Sequence, residues 1–256
     1  MAVQRSYGWR KDRRDTRDFK FCAKPEFAAH VPQHLNMAPM MAPVYDQGRL
    51  GSCTGNAIAA AYEFDLVIQK VPHIFRPSRL YIYFNEREME GTVNDDAGAE
   101  IRDGIKTLSN NGVCPESMWP YSDDGIKFKQ RPTPDCYAFG EQHQALIYRS
   151  VPQNLAQIQS ALALGFPVVF GFNVYDAFEG QQVATTGVLN MPTSGEAEQG
   201  GHAVLCCGYD NAMNRFIVRN SWGTDWGQKG YFSMPYDYML NPSLANDFWT
   251  IRRVQA

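Results

Sequence analysis

Cys53 stands at the junction of a glycine-punctuated loop, 46–52, and an apolar segment that continues to about Lys70. The segment is apolar most of the way round a helix, which is typical of a buried one. The first backbone N–H groups of a helix have no partners, and the helix dipole is positive there. Such a position favours the thiolate, the nucleophilic form of cysteine. The junction therefore predicts a cysteine nucleophile, which needs a base within hydrogen-bond reach.

His202 is the histidine whose context suits that base. The other four histidines lie in proline-rich or polar surroundings, which favour ordinary surface or packing roles. His202 begins an apolar strand directly after Gly200 and Gly201, where backbone can pass close by. One strand later, the side-chain carbonyl of Asn220 can accept a hydrogen bond from the imidazole, and Trp222 can cover that bond. The spacing predicts a Cys–His–Asn site.

The elements that must position these residues form two unlike halves. Predicted helices cover about 53–70, 79–90, 99–110 and 153–164, and predicted strands cover 167–172, 202–208, 215–219, 230–234 and 248–251. This is an α+β pattern, and a cleft between two such lobes is a natural place for a site. The predicted divisions are an N-terminal arm at 1–40, a helical lobe at 41–130 and a β-rich lobe at 131–256. Four prolines within 115–136 mark the crossing between the lobes.

Composition excludes several classes of function. The net charge of −3 gives no case for nucleic acid, and no apolar run approaches the roughly 20 residues that span a bilayer. The N-terminus lacks a signal peptide, so we expect a cytoplasmic protein or one exported by a non-classical route. Six cysteines in 256 residues are not a disulfide scaffold, and no C-x-x-C occurs. No cofactor is indicated. A metal site from His202, Cys206 and Cys207 is disfavoured because strand alternation points the two cysteines to opposite faces.

Four short motifs in one order support a family resemblance. Gln47-Gly48 precedes Cys53, a Trp-Pro-Tyr occurs at 119–121, and Gly-His-Ala-Val and Asn-Ser-Trp-Gly follow at 201–204 and 220–223. His202 lies 149 residues after Cys53, within the spacing typical of papain-like enzymes. Over about residues 40–235 the sequence resembles the papain-like (C1) cysteine peptidases, more the bacterial branch. The resemblance implies a helical N-terminal lobe, an antiparallel β-barrel-like C-terminal lobe and an active-site cleft between them.

The resemblance also implies roles for single residues. Cys53 would be the nucleophile, His202 its base and later the acid, and Asn220 the group that orients His202. Gln47 would donate to the oxyanion together with the backbone N–H of Cys53. The reaction implied is hydrolysis of peptide bonds through a thioester, on an extended peptide or protein substrate. The residues implied in substrate binding are Gly98, Ala99, Gly201, Ala203 and Trp222.

Three positions depart from the family pattern. Leu50 replaces a usual cysteine, so the disulfide that is common there cannot form. Thr54 replaces the aromatic residue that usually follows the nucleophile, and Gly201 stands where many members carry Asp or Asn. Residues 1–40 are too short for the long inhibitory propeptide of eukaryotic members. We expect this arm, which carries Tyr7, Trp9 and Phe19, to dock on the body of the protein or to cover the cleft as a short pro-segment. We expect a monomer.

Alternatives stay open at this point. The chain could keep the fold as an inactive or regulatory binding protein, or it could carry out another acyl transfer, such as transglutamination or deamidation. Asp95, Asp96 and Glu100 form an acidic cluster near Gly98. A solvated loop is the simpler interpretation of that cluster, and a preference for basic substrate side chains is the sharper hypothesis.

Overall fold

The structure is a computed structural model that describes residues 5–255. Its α-helices are α1 (Pro25–Ala28), α2 (Cys53–Ile68), α3 (Arg79–Glu90), α4 (Ile101–Asn111), α5 (Pro134–Gly140), α6 (Leu155–Ala163), α7 (Asp176–Glu179), α8 (Gln181–Thr186) and α9 (Tyr236–Leu240). Its strands are β1 (Trp9–Arg10), β2 (His34–Asn36), β3 (Ala99–Glu100), β4 (Ala145–Ser150), β5 (Val168–Tyr175), β6 (Glu198–Asp210), β7 (Arg215–Arg219), β8 (Tyr231–Pro235) and β9 (Ala245–Val254).

Helix α2 runs through the middle of the molecule. Small side chains at 57 and 59–61 let neighbouring elements approach it from several sides, and its first fourteen residues are all buried. It packs on α3 and α4 on one side and on β6 and β9 on the other. The helix therefore joins the two halves of the chain, with Cys53 as its first residue.

Helix α3 shows how local sequence sets an element's bounds. The hydroxyl of Ser78 accepts a hydrogen bond from the backbone N–H of Tyr81, which satisfies one of the free donors at the helix start. Gly91, in a left-handed conformation, ends the helix. The predicted helix 79–90 has the bounds that the structure gives to α3.

The second half of the chain forms most of a seven-stranded sheet. The strand order is β4-β9-β5-β6-β7-β8, with β2 paired to β6, and all these pairings are antiparallel. Strand β6 pairs with β5 on one side and β7 on the other, which sets Phe172 opposite His202 and Leu205 opposite Arg219. The long β6 therefore carries the predicted base in the interior of the sheet.

The predicted α+β fold is confirmed, and the five predicted strands lie within β5 to β9 or overlap them. Among the elements that the prediction left out are β4 and the helix α5. The predicted helix 153–164 corresponds to α6 and is slightly longer than α6 at both ends. Within residues 5–255, no helix is long and apolar enough to cross a membrane. The lobe boundaries at 40 and 130 stay a prediction; the first four residues of the arm and residue 256 lie outside the described residues.

The predicted arm has two parts with different surroundings. Phe21, Ala23 and Met37 are buried in the main core of the β-rich half. Residues 5–12, by contrast, run along the groove between the halves, where β1 pairs with β3 in a parallel arrangement. This first part of the arm bears directly on the site.

Candidate active site

Cys53 and His202 are both fully buried. The backbone N–H groups of Ala203, Gly8 and Thr54 face the sulfur of Cys53 and lower its pKa. Thr54 belongs to the start of the same helix, whose N–H groups point at the sulfur. Ala203 follows His202 on β6, so the helix and the sheet meet at this sulfur.

His202 is held by Asn220. The imidazole Nε2 lies 2.8 Å from the side-chain Oδ1 of Asn220, and the backbone N–H of Ser221 donates to the same oxygen at 2.8 Å. An amide N–H can only donate, so this atom of Asn220 must be the carbonyl oxygen, and Nε2 of His202 must carry the proton. Nδ1 is then the free base, and it has no hydrogen-bond partner among the described residues. The Trp222 ring lies 5.1 Å from the imidazole, centroid to centroid.

Gln47 is fixed at both ends of its side-chain amide. Its Oε1 accepts a hydrogen bond of 2.6 Å from the hydroxyl of Ser221, and its Nε2 donates to the carbonyl of Leu50 at 2.9 Å. The same Nε2 lies 3.5 Å from the carbonyl oxygen of Ser6 in the arm. The amide therefore presents an N–H to a carbonyl oxygen inside the groove.

Burial sets the charge state of the pair. It raises the pKa of the Cys53 thiol to about 12, against hydrogen bonds to its sulfur that lower the pKa. It lowers the pKa of His202 to about 4, against the hydrogen bond to Asn220 that raises it. Both shifts favour the uncharged forms, a thiol and an imidazole, while the site is buried. The cause is removal of water from both groups, and the arm contributes to that removal.

The arm occupies the groove at this point. The backbone N–H of Ala99 donates to the carbonyl of Gly8 at 2.7 Å. A Cβ on Gly98 would lie 2.0 Å from that same carbonyl oxygen, so only glycine leaves room for the arm there. Trp9 is 7% exposed, and its ring fits against Gly171 and Gly201.

Charged contacts anchor the arm on both sides of the sulfur. Arg5 pairs with Asp46 at 3.4 Å and lies over the Trp222 ring, 4.6 Å from its centroid. Asp12 accepts from the backbone N–H of Arg102 and from the indole of Trp249. Further bonds join Arg102 to Asp18, Arg10 to Glu90, Arg13 to Glu100 and Tyr7 to Glu179.

The residues singled out in the sequence come together around the groove. Gln47, His202, Gly98, Ala99, Gly201 and Trp222 contact the arm, while Ala203 lies near the sulfur of Cys53 and Asn220 holds His202 from behind. In the acidic cluster, Asp96 accepts from the backbone N–H of Gly51 at 2.9 Å, and Glu100 accepts from the backbone of Arg13. These two carboxylates are thus engaged within the chain.

Two residues of the site, Glu86 and Asp247, were missed from the sequence, and Asp96 was named there without its role. Asp96 fastens the loop that precedes Cys53, Glu86 accepts a hydrogen bond from Thr54, and Asp247 accepts one from Trp9. Glu86 stands two residues after Phe84 on α3, and only its complete burial signals a role. In the sequence, a carboxylate within an ordinary helix or strand does not differ from one exposed to solvent, so its role could not be predicted.

Comparison with known proteins agrees with this geometry. The sequence pattern of the papain family of cysteine proteases matches residues 31–247. The chain is 40% identical to an uncharacterized peptidase C1-like protein of Acanthamoeba polyphaga mimivirus, over 99% of this chain and 88% of that protein. It is 27% identical to cathepsin K of Gallus gallus, over 87% of this chain and 66% of the cathepsin.

Solved structures show the same likeness. Xylellain, a cysteine protease from Xylella fastidiosa, superposes with a TM-score of 0.93 at 42% identity, over 98% of both chains. A digestive procathepsin L 3 of Tenebrio molitor shares the fold at a TM-score of 0.72 and 19% identity. The chain therefore belongs to the papain family of cysteine proteases. It is a cysteine peptidase, a hydrolase that acts on peptide or protein substrates.

Proposed function

We propose that Cys53, His202, Asn220 and Gln47 carry out peptide hydrolysis in this chain. The observation that supports this most is the pair of hydrogen bonds to Asn220 Oδ1, because they leave Nδ1 of His202 as the one nitrogen able to take a proton. Once water reaches the site, Nδ1 takes the thiol proton from Cys53. The product is the thiolate that attacks.

The reaction then proceeds in two stages, formation of a thioester and its hydrolysis. The sulfur bonds to the carbonyl carbon of the substrate, and the carbonyl electron pair moves to the oxygen. The side-chain N–H of Gln47 and the backbone N–H of Cys53 bind that oxyanion. The C–N bond breaks as the imidazolium of His202 protonates the leaving amine, which leaves a thioester. Water then gives a proton to His202 and attacks the thioester, and the C–S bond breaks to release the acid.

We also propose that residues 5–12 inhibit the enzyme to which they belong. The arm places the amide N–H of Gly8, not a carbonyl carbon, against the sulfur of Cys53. It places the carbonyl of Ser6 where the oxyanion would form, near Gln47. This arrangement supports the proposal that the arm fills the groove and is not cleaved there. An extended substrate would use the same backbone groups at Gly98 and Ala99, and the chain would act as a monomer because all these groups lie within it.

The arm can be expelled by one substitution. A Cβ on Gly8 would lie 1.6 Å from the carbonyl oxygen of Gly51, so Gly8→Val cannot keep the arm in place. Labelling of Cys53 by iodoacetamide, followed by mass spectrometry of its peptide, reports opening. We expect labelling in Gly8→Val to exceed that of the wild type at least tenfold. Arg14→Ala, at an exposed arm position, is the matched control. Equal labelling of wild type and Gly8→Val would refute inhibition by the arm.

The catalytic roles are tested in the Gly8→Val background with fluorogenic peptides. We expect Cys53→Ala to abolish cleavage and His202→Ala to lose both cleavage and rapid labelling. Gln47→Ala should lose roughly 10²–10³ in kcat, typical for removal of one oxyanion donor, and keep its labelling rate, since alkylation forms no oxyanion. Rapid labelling without cleavage, together with incorporation of an amine into glutamine substrates, would favour transglutamination. If Cys53 is labelled no faster than a free model cysteine, the catalytic proposal is wrong.

A further inference from the structure

Trp9 of the arm fills a pocket in the β-rich half. Its floor is made by adjacent strands: Gly171 on β5 lies opposite Ala203 on β6 and pairs with Asn246 on β9. A Cβ on Gly171 would lie 1.9 Å from the indole ring of Trp9, and a Cβ on Gly201 would lie 2.7 Å from it. Both positions must therefore lack a side chain for a large group to enter.

Asp247 closes the inner end of this pocket. Its Oδ2 accepts a hydrogen bond of 3.1 Å from the indole N–H of Trp9 and one of 2.7 Å from the backbone N–H of Asp12. Asp247 has a φ of +60°, which is uncommon for a residue other than glycine. Such a conformation persists where the surroundings hold it, and here it aims the carboxylate at the ring.

Both donors to Asp247 belong to the arm. When the arm leaves the groove, this carboxylate loses Trp9 and Asp12 together. Arg102, the cation on the body of the protein that acts on Asp247, is paired with Asp18 at 2.8 Å. A second carboxylate, Glu198, lines the space beside Trp9. Without the arm, Asp247 Oδ2 loses both of the hydrogen bonds that it accepts among the described residues, and two carboxylates remain around the emptied space.

We propose that this pocket makes the enzyme select substrates with a long side chain that ends in an N–H donor, arginine and lysine first and tryptophan next. The inference rests on the proposed function, since it gives the substrate class of the same groove. Tryptophan is the occupant that the arm supplies, and its N–H makes the bond at Asp247. Arginine reaches as far and adds a charge of the opposite sign, which makes the hydrogen bond stronger than one between neutral groups. Leucine fills less of the space and offers no donor.

The first test measures cleavage by the full chain carrying Gly8→Val. Fluorogenic peptides vary the residue at each of the three positions before the scissile bond through Arg, Lys, Trp, Leu and Glu. At one position we expect kcat/KM for Arg to exceed that for Leu at least tenfold, with Trp also above Leu. Asp247→Asn keeps an acceptor for the indole but loses the charge, so the Arg-to-Leu ratio should fall at least fivefold and the Trp-to-Leu ratio less.

Two further variants complete the design. Gly171→Val should lower the Arg and Trp values relative to Leu, because it occupies the space of the ring. Asp237→Asn removes an exposed carboxylate elsewhere and should leave the ratios unchanged. Asparagine tolerates positive φ well, so the Asp247 variant keeps its backbone conformation. A scan in which Arg exceeds Leu at no position, or an Asp247→Asn variant with an unaltered ratio, would overturn the inference.

A second test does not depend on peptide cleavage. In the full chain, Trp9→Arg and Trp9→Leu change only the occupant of the pocket, and labelling of Cys53 reports how well each occupant holds the arm. We expect Trp9→Arg to label within about threefold of the wild type and Trp9→Leu at least tenfold faster. Adding Asp247→Asn should speed labelling of the Trp9→Arg variant but not of Trp9→Leu. Equal labelling of the two single variants contradicts the pocket's preference even if the chain cleaved no peptide, which separates this failure from failure of the proposed function.

Discussion

The side-chain oxygen of Asn220 accepts from both the imidazole of His202 and the backbone N–H of Ser221, each at 2.8 Å. The second bond fixes which end of the amide faces the ring, and the first fixes which ring nitrogen carries the proton. Since Ser221 also donates its hydroxyl to Gln47, one short segment after β7 aligns the proposed base and the proposed oxyanion donor. Two functions of the site thus depend on the same turn of chain.

Removing the amide of Asn220 should therefore misdirect the base without removing it. In the Gly8→Val background we expect Asn220→Ala to lower kcat about 10- to 100-fold, with a smaller change in KM, because misplacement of a reacting group costs rate more than binding. Asn220→Asp, which keeps an acceptor at the same place, should retain more activity than Asn220→Ala. Steady-state kinetics on one fluorogenic peptide measures both. Wild-type kcat in the alanine variant would show that the ring is held by packing alone.

Much of this fold could be predicted because local signals and tertiary packing agree. The Ser78 cap and Gly91 stop define α3, and the apolar runs after Pro167 and Gly201 define β5 and β6. The missed strand β4 has a different cause. Its residues are only partly buried at one edge of the sheet, so its sequence lacks the alternation that a half-buried strand shows.

The site itself divides in the same way. Cys53, His202 and Asn220 stand in recognisable motifs, so their meeting could be predicted before any coordinates. The path of the arm could not, because its contacts join residues 41 to 238 positions apart, as for Gln47 with Ser6 and Trp9 with Asp247. The aromatic residues of the arm predicted that it docks, but nothing in a sequence says which groove receives it.

Asp96 fastens the loop that precedes Cys53. Its two carboxylate oxygens accept from the backbone N–H of Gly51 at 3.1 and 2.9 Å, and the hydroxyl of Tyr83 donates to it. The same hydroxyl accepts from the backbone N–H of Gly98 at 3.2 Å. The loop before Cys53 and the loop at Gly98 are thus joined by hydrogen bonds.

We expect Asp96→Ala to loosen both loops. The loss of these charge-assisted bonds should lower the free energy of unfolding by about 1–3 kcal/mol and raise KM in the Gly8→Val background, since Gly98 is a proposed substrate-binding residue. Asp95→Ala is the matched control, because that neighbouring carboxylate is exposed and makes no side-chain hydrogen bond among the described residues. Denaturant unfolding and steady-state kinetics measure the two effects. If the two variants have the same unfolding free energy and the same KM, the bonds of Asp96 do not hold the two loops together.

Glu86 is fully buried beneath the nucleophile, and burial raises its pKa to about 8, against the hydrogen bond from Thr54 that lowers it. Its Oε2 has no hydrogen-bond partner among the described residues. Because the folded-state pKa lies above the ordinary value, the folded protein holds an extra proton between about pH 4.5 and 8. The stability from this group is therefore complete below that window and is lost as the pH rises through it.

Glu86→Gln imitates the protonated acid at every pH. We expect it to match the wild type closely in unfolding free energy near pH 4.5 and to exceed it by up to about 4 kcal/mol at pH 8. The variant should also lower the pKa of the Cys53 thiol, since the charge on Glu86 contributes to raising it. Glu141→Gln, at an exposed position, provides the control. Denaturant unfolding at the two pH values decides the matter, and a difference that does not grow with pH would contradict the linkage.

The arm carries a pH dependence of its own through Asp12. Burial, then repulsion by Asp247, raises its pKa to about 7, while hydrogen bonds from Arg102 and Trp249 lower it. When the arm leaves the groove, Asp12 returns to water and to its ordinary value near ~4. The closed form therefore binds one more proton than the open form between those values. Closure is favoured at the acid end of the window and is lost as the pH rises through 7.

Opening of the full chain should accordingly increase from pH 5 to pH 8. Labelling of Cys53 by iodoacetamide reports it, but ionisation of the thiol also rises with pH, so each rate is divided by that of Asp12→Asn at the same pH. This variant cannot titrate at position 12, and the thiol contribution cancels in the ratio. We expect the ratio of wild type to variant to rise about tenfold or more between pH 5 and 8, as a shift of this size implies. A ratio that stays flat would mean that Asp12 is ionised in the closed arm at pH 5, and that its bonds to Arg102 and Trp249 outweigh its burial.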